Sequence, residues 1–349
     1  MNLDDKKKIQ ELDKSQMLES IEALPQQCLQ AWEETRQLPI PENYKDIENI
    51  VVSGMGGSAL GSAVIKANFG QDLPPLEIVN DYHLPQYVNE KTLVVLSSYS
   101  GGTEETLACA QEAKEKKAKI LGITTGGDLG KFLSENNFPG YIFEPKFNFC
   151  GQPRIGLGYS TLGQMGLLMK AGILKINGEE VRGFIDQLNS SKERIKKQAG
   201  EKAESLKNRI PIIIAAEFLS GNAHVLANQF NENSKTMSFY FLLPELNHHL
   251  LEALKHPQEK NIDFLFLNSN LYSEKIRKRL DLTKTVVQKN NINSSEFKTE
   301  NSNKFLQALE TLWFGSFLSF SLALSYEIDP APIPWVDYFK EELKYSSAS

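Results

Sequence analysis

The sequence predicts an α/β protein with two domains, each a mainly parallel sheet flanked by helices. Two observations support this class. Strand-like and helix-like stretches alternate through both halves of the 349-residue chain, an order typical of parallel strands joined by right-handed helical crossovers. In addition, two apolar runs, at 50–53 and 93–96, end in glycine- and hydroxyl-rich turns that lead directly into helical patterns. Such turns mark the edge of a parallel sheet where ligands bind.

The first alternation follows an N-terminal helical segment. Residues 5–37 space their apolar side chains as helices do, with a division expected at Pro25. After a break at 39–41, we expect strands and helices in turn at 50–53, 58–69, 76–80, 92–97, 103–117, 120–124 and 141–144. The proline- and glycine-containing stretch 144–154 then predicts a domain boundary, followed by an apolar helix at 159–174.

The second alternation begins at the apolar run 210–216. It continues with a helix at 221–235, strands at 237–243, 262–267 and 285–287, a helix at 272–280, and a long helix at 304–326. The chain therefore divides into an N-terminal helical segment packing on the domains (1–46), a first domain (47–152), a helical connection (153–205) and a second domain with C-terminal helices (206–349).

Composition narrows the class of protein. Hydrophobic residues make up 41% of the chain and charged residues 23%, and no apolar run approaches the roughly 18 residues of a membrane span. The net charge of −6 leaves no general basic field to attract nucleic acid. The start of the sequence lacks a signal-peptide pattern, and the three cysteines form neither a CxxC pair nor an even framework. We expect a cytoplasmic protein that binds neither membranes nor nucleic acid.

The two turns predict one phosphate-binding site, in the first domain. In each, small residues end a strand just before a helix begins, so that free backbone N–H groups and the positive helix end face one point. No P-loop lysine or evident metal ligand accompanies them, which favours a phosphorylated small molecule over a nucleoside triphosphate. The expected phosphate ligands are Gly57, Ser58, Ser98, Ser100 and Thr103.

Two other interpretations of these turns remain open. Gly54-Met-Gly-Gly-Ser-Ala59 matches the G-x-G-x-x-G/A dinucleotide fingerprint, and Asp81 follows the next strand where a ribose-binding acid would lie. An NAD-linked oxidoreductase is therefore one alternative. The hydroxyls of the second turn could instead only cap a helix and solvate a loop.

Six motifs, in one order from about residue 48 to 343, resemble the bifunctional phosphoglucose/phosphomannose isomerases, which carry tandem sugar isomerase (SIS) domains. The similarity therefore covers nearly the whole chain. The motifs are Gly54-Met-Gly-Gly-Ser-Ala59, Ser98-Tyr-Ser-Gly-Gly-Thr-Glu-Glu-Thr106, Pro153-Arg154 with Leu157-Gly-Tyr-Ser160, Asn231-Glu-Asn233 with Lys235, Pro244-Glu-Leu-Asn-His248, and Asp329-Pro330 with Lys340.

The resemblance implies an isomerase that interconverts glucose 6-phosphate, and mannose 6-phosphate, with fructose 6-phosphate through a cis-enediol. By similarity, Arg154 lies over the enediolate, Glu232 is the proton-transferring base, and His248 and Lys340 open the sugar ring. It also implies a homodimer in which the histidine comes from the partner subunit, and it implies that no metal or cofactor is required. The residue types suit this chemistry, because a carboxylate can move a proton between neighbouring carbons while a cation stabilises the oxyanion. A non-catalytic phosphosugar-binding regulator is the alternative; it would need the turns but no base.

The chain departs from the family pattern at two places. After His248 it has His249-Leu250 where Asn-Glu is usual, so a neighbouring acid is missing, and Glu252 lies two positions beyond. The adjacent His249 also leaves the histidine assignment open by one residue. In the second turn, Gly102 replaces an asparagine; a side-chain amide is lost, but a backbone N–H remains to bind phosphate.

Overall fold

The computed structural model describes residues 6–346 and confirms the predicted α/β class. The first sheet has five parallel strands in the order β2-β1-β3-β4-β5. They are β1 (Asn49–Gly54), β2 (Leu76–Val79), β3 (Thr92–Ser97), β4 (Lys119–Thr124) and β5 (Gly140–Ile142). The helices of this part are α1 (Lys6–Leu12), α2 (Met17–Glu22), α3 (Leu24–Thr35), α4 (Gly57–Phe69), α5 (Glu104–Glu115) and α6 (Gly127–Glu135).

Three helices connect this sheet to a second one: α7 (Leu157–Lys170), α8 (Gly178–Ser190) and α9 (Lys192–Leu206). The second sheet is also parallel, in the order β7-β6-β8-β9. Its strands are β6 (Ile210–Ala216), β7 (Phe239–Leu243), β8 (Ile262–Ser269) and β9 (Asn293–Thr299). Its helices are α10 (Ser220–Asn233), α11 (Glu274–Lys289), α12 (Lys304–Ser325) and α13 (Pro334–Ser346).

Strand order brings the two predicted turns together. In each sheet the first strand in the chain lies second from one edge and pairs with the next two strands, so β1 lies between β2 and β3. The register pairs Gly54 with Ser97, the last residues of β1 and β3. Because both strands run in the same direction, the turns that follow them leave the sheet at the same edge.

Helix α12 is the centre of the core. It packs against α9 and α10, and its Trp313 Nε1 donates a hydrogen bond of 2.7 Å to the carbonyl oxygen of Ile21 at the end of α2. The N-terminal helices are thereby joined to the second half of the chain. Within 6–346, α12 is the helix long and apolar enough to cross a membrane, but its apolar window is entirely buried inside the protein, as in a core helix.

One predicted strand is wrong. Residues 285–287 lie in α11, and the last strand of the second sheet is β9 instead. The β-branched run Thr285-Val-Val favours a strand by propensity alone. However, Ile276, Leu280, Thr283 and Val287 are buried at helical spacing, so packing of one helix face prevails.

Candidate active site

Hydrogen bonds connect the two turns at the carboxyl edge of the first sheet. The backbone N–H of Tyr99 donates to Ser58 Oγ at 2.9 Å, which joins the second turn to the start of α4. The hydroxyls of Ser98 and Thr103 are 2.8 Å apart, and the Gly101 N–H donates to Ser98 Oγ at 3.1 Å. Three of the predicted phosphate ligands thus lie on one pair of adjoining turns.

Ser100 lies at the exposed tip of the second turn. Its Oγ accepts a 3.3 Å hydrogen bond from the backbone N–H of Gly102, itself exposed. The adjacent Gly101 has a φ of +74°, a conformation that favours glycine, and a Cβ there would overlap the carbonyl oxygen of Gly126. The second turn therefore packs closely against the loop that follows β4; Ser98 is buried beneath it and Ser100 is exposed at its tip.

Gly57 brings the first predicted phosphate turn close to Arg154. A Cβ on Gly57 would lie 2.7 Å from the backbone nitrogen of Arg154 and 2.8 Å from the carbonyl carbon of Pro153. Only a residue without a side chain allows α4 to begin this close to the backbone that carries the arginine. The N-terminus of α4 is in this way held next to Arg154, and the N–H groups of Ser58 and Ala59 in its first turn donate to the carbonyl oxygens of Met55 and Gly56.

Arg154 is 1% exposed, and all three nitrogens of its guanidinium group donate hydrogen bonds to protein acceptors. Its Nε donates to Asn233 Oδ1 at 2.6 Å, and its Nη1 donates to Gln152 Oε1 at 2.6 Å. Its Nη2 donates to the carbonyl oxygens of Pro330 at 3.1 Å and Ala331 at 2.8 Å. A buried cation with this many acceptors has one orientation, which is the condition for stabilising a charge that develops at a fixed point.

Glu232 lies beside this arginine in the last turn of α10. Its Oε2 is 3.3 Å from Arg154 Nη1, and its side chain is 28% exposed. Burial raises the pKa of Glu232, while the positive charges of Arg154, Lys340 and Lys235 oppose that rise. Burial likewise lowers the pKa of Arg154, and the charge of Glu232 opposes the change. A carboxylate with a raised pKa next to a fixed cation can accept a proton from carbon and return it.

Two lysines, in addition to Arg154, place positive charges near Glu232. Lys340, on α13, lies near enough for its charge to lower the pKa of the carboxyl. Lys235 donates to the carbonyl oxygens of Glu232 at 3.0 Å and Pro330 at 2.9 Å. Burial, followed by the charge of Arg154, lowers the pKa of Lys235 to about 8. Through its two hydrogen bonds, Lys235 links the end of α10 to the segment that leads into α13.

His248 lies elsewhere in the same chain. It is an exposed residue of the 3₁₀ turn Glu245–His248, directly after the carboxyl end of β7. Helix α10 returns from the carboxyl end of β6 to the start of the parallel strand β7, so Glu232 lies at the opposite edge of this sheet. Fourteen helical residues span roughly 20 Å. One subunit does not bring His248 to the base, and the adjacent His249 pairs with Glu245 at 2.8 Å.

The second sheet has a different arrangement at its carboxyl edge. Glu217 follows β6 with a φ of +46°, and both of its carboxylate oxygens accept from the backbone N–H of Ser273 at 3.2 Å. Ser273 is the residue before α11, which follows β8 as α5 follows β3. Glu217 thus lies where the first sheet has the turn after β1, and its carboxylate accepts hydrogen bonds from the turn that corresponds to the one after β3.

Sequence reasoning missed the residues that hold Arg154. Asn233 directly follows Glu232 and has no signal beyond its place in the Asn231-Glu-Asn233 motif. Gln152 lies two residues before Arg154 and outside the six motifs, and the carbonyls of Pro330 and Ala331 carry no side-chain signal at all. Across 6–346, no three His, Cys, Asp or Glu side chains are grouped so that they could hold a metal ion.

Comparisons with known proteins agree with this architecture. Residues 44–129 match the SIS domain, and residues 195–343 match the bacterial phospho-glucose isomerase C-terminal SIS domain. A bifunctional phosphoglucose/phosphomannose isomerase of Caldicellulosiruptor bescii is 32% identical over 343 residues, which cover 94% of this chain and 98% of that protein. The chain belongs to the bifunctional phosphoglucose/phosphomannose isomerase family.

Other similar proteins include a second enzyme of the same name, an enzyme of a different name and a solved structure. The enzyme of the same name from Thermoplasma acidophilum is 29% identical, over 84% of this chain and 89% of its own. A D-glucosamine-6-phosphate 4-epimerase of Sulfolobus acidocaldarius is 28% identical, over 64% of this chain and 69% of its own. The tagatose-6-phosphate ketose/aldose isomerase structure from Escherichia coli superposes with a TM-score of 0.69 at 16% identity, covering 91% and 95% of the two chains, and shares the fold.

Proposed function

We propose that the protein is an aldose–ketose isomerase that interconverts glucose 6-phosphate, and mannose 6-phosphate, with fructose 6-phosphate through a cis-enediol. The observation that carries this proposal is the pair formed by Glu232 and Arg154. A base that can move a proton lies 3.3 Å from a buried cation that can stabilise an oxyanion, and the backbone of that cation, Arg154, adjoins Gly57 of the first predicted phosphate turn. A protein that only binds phosphosugars has no need of this pair.

The reaction follows from the positions of these groups. The turns that carry Gly57, Ser58, Ser98, Ser100 and Thr103 bind the phosphate and so anchor the far end of the open-chain sugar. The Glu232 carboxylate takes the proton from C2 of the aldose and returns it to C1. The guanidinium of Arg154 stabilises the charge that develops on the enediolate oxygens. Because burial raises the pKa of Glu232, the carboxyl holds the proton between the two steps more readily than an exposed glutamate.

Ring opening requires further proton transfer, which we assign to Lys340 and to His248 of a second subunit. Two features support a homodimer. His248 and Glu232 lie at opposite edges of the second sheet, so one chain does not unite them. The helix that carries Lys340 also exposes large apolar side chains, with Trp335 82% and Phe339 62% exposed. An apolar surface of this kind is suited to burial against another subunit.

Subunit mixing tests the shared site. Glu232→Gln and His248→Ala homodimers should each be inactive. After complete exchange of equal amounts, half of the dimers are mixed and each has one site with both native residues, so activity should return to about a quarter of wild type. His249→Ala, the matched control, should be active by itself. Demonstrated exchange without recovery would place both groups on one chain.

The proposed reaction is tested by measuring fructose 6-phosphate formation from glucose 6-phosphate and from mannose 6-phosphate, with EDTA present and no nucleotide added. Formation from either aldose supports the isomerase. Because one relative is named a 4-epimerase, glucosamine 6-phosphate is the third substrate, and inversion at C4 without ketose formation would favour that reaction. Turnover that requires added NAD would favour an oxidoreductase. We also propose a cytoplasmic location, because Cys28, Cys109 and Cys150 are all free thiols.

A further inference from the structure

The five N–H groups of Arg154 are distributed unequally between the protein and the reacting centre. A guanidinium has one N–H on Nε and two on each Nη. Four of them donate to protein acceptors: Asn233 Oδ1, Gln152 Oε1 and the carbonyl oxygens of Pro330 and Ala331. The fifth is on Nη1, the atom 3.3 Å from Glu232 Oε2. The four bonds therefore decide where this fifth N–H points.

Asn233 is the acceptor whose own orientation is most firmly fixed. It is fully buried, and its Nδ2 donates to Ser319 Oγ on α12 at 3.0 Å. The Ser319 hydroxyl in turn donates to the carbonyl oxygen of Gly315 at 2.9 Å, which leaves its oxygen to accept from the amide. The amide of Asn233 consequently has one favourable orientation, with its oxygen toward Nε of Arg154.

We propose that Asn233 is a positioning residue for Arg154, and that it aims the fifth guanidinium N–H at the enediolate oxygen. The inference rests on the proposed isomerase function. Asn233 directly follows the base Glu232 at the end of α10, so the end of this one helix fixes the position of the base and the orientation of the cation. Without the bond to Nε, the guanidinium can tilt about its remaining contacts, and the N–H that must meet the developing charge is misdirected.

The main test compares two buried asparagines of the same helix. Asn222 is 1% exposed and donates from Nδ2 to the carbonyl oxygen of Ala308 on α12 at 2.8 Å, but it lies eleven residues earlier, roughly 16 Å from the site. Asn233→Ala should lower kcat by about 10- to 100-fold and change KM for glucose 6-phosphate by less than about threefold, because the phosphate turns are intact. Asn222→Ala should lose stability without losing kcat.

A double variant shows whether Asn233 acts through the arginine. Arg154→Lys removes the N–H that Asn233 accepts. In that background, Asn233→Ala should lower kcat no further. If Asn233→Ala fails to fold, Asn233→Asp decides instead: it keeps an oxygen acceptor for Nε and adds a negative charge beside Glu232. The acid limb of its kcat profile should therefore move to higher pH.

Three results would overturn the inference. Asn233→Ala could match Asn222→Ala in kcat, the losses of Asn233→Ala and Arg154→Lys could multiply in the double variant, or the acid limb of Asn233→Asp could stay in place. Each of these is measured against an active wild type and leaves the proposed isomerase intact. A wild type that isomerises neither glucose 6-phosphate nor mannose 6-phosphate would overturn the proposed function and this inference with it.

Discussion

Replacing Gly57 with alanine should disturb the phosphate turn and Arg154 together. The added Cβ would lie 2.7 Å from the Arg154 nitrogen, whereas ordinary contact begins at 3.4 Å, so the two segments must separate by about 0.7 Å. The obstructing atoms are all backbone and no rotamer change relieves them. Overpacking of this kind costs about 1–3 kcal/mol of folding free energy.

The same displacement should lower activity. A shift approaching 1 Å in a catalytic group costs up to about 100-fold, so we expect Gly57→Ala to lose about 10- to 100-fold in kcat/KM. A coupled assay of fructose 6-phosphate formation measures the activity, and urea unfolding measures the stability. Gly102→Ala is the control, because it lies in the second turn of the same site and a Cβ there meets nothing within 4 Å. If Gly57→Ala keeps the activity and stability of Gly102→Ala, the close approach of α4 to Arg154 does not matter.

The remaining predictions concern the phosphate and the base. Replacing Ser100 and Thr103 together with alanine should weaken inhibition by inorganic phosphate by about 100-fold or more, because each hydrogen bond to a charged group contributes roughly 1.5–3 kcal/mol. Lys340→Met removes a positive charge that lowers the pKa of Glu232. That pKa should rise, and since the base must be unprotonated, the acid limb of kcat/KM against pH should move to higher pH.

Control variants separate these effects from general damage. Ser134→Ala removes a hydroxyl that bonds within α6, and it should leave phosphate inhibition unchanged. If phosphate inhibits the double variant of Ser100 and Thr103 as strongly as it inhibits wild type, those two hydroxyls do not bind phosphate. Lys275→Met takes an exposed charge from α11 and should leave the pH profile unchanged. An acid limb that also stays in place in Lys340→Met would mean that Lys340 does not act on the base.

Much of the fold is predictable because burial leaves a pattern in the sequence. Strands such as β3 and β6 are almost continuously apolar and are buried on both faces. The edge strand β9 is different: its sequence Asn-Ser-Ser-Glu-Phe-Lys-Thr buries only Phe297 and Thr299, so hydrophobicity does not reveal it. In α11, the propensity of Thr285-Val-Val for a strand conflicts with packing, and the sequence alone does not show which prevails.

The site is predictable only where it is local. The two turns are short segments in which glycine, hydroxyl and helix start occur together, so the sequence alone predicts that they bind phosphate. The environment of Arg154 is not local, because its acceptors at Pro330 and Ala331 lie 176 and 177 residues further along the chain. Sequence alone is consistent with an exposed loop arginine at this position, whereas the fold makes it 1% exposed. The separation of His248 from Glu232 likewise depends on strand order.

Solvent exchange tests the central claim, that Glu232 moves the proton between C1 and C2. Fructose 6-phosphate incubated with wild type in deuterium oxide should acquire deuterium at C1, a signal that does not depend on ring opening being rate-limiting. Glu232→Gln keeps the shape of the side chain but removes the base, so exchange should fall by about 10²- to 10⁴-fold while inorganic phosphate still binds. Exchange at the wild-type rate in a folded Glu232→Gln protein would contradict the account.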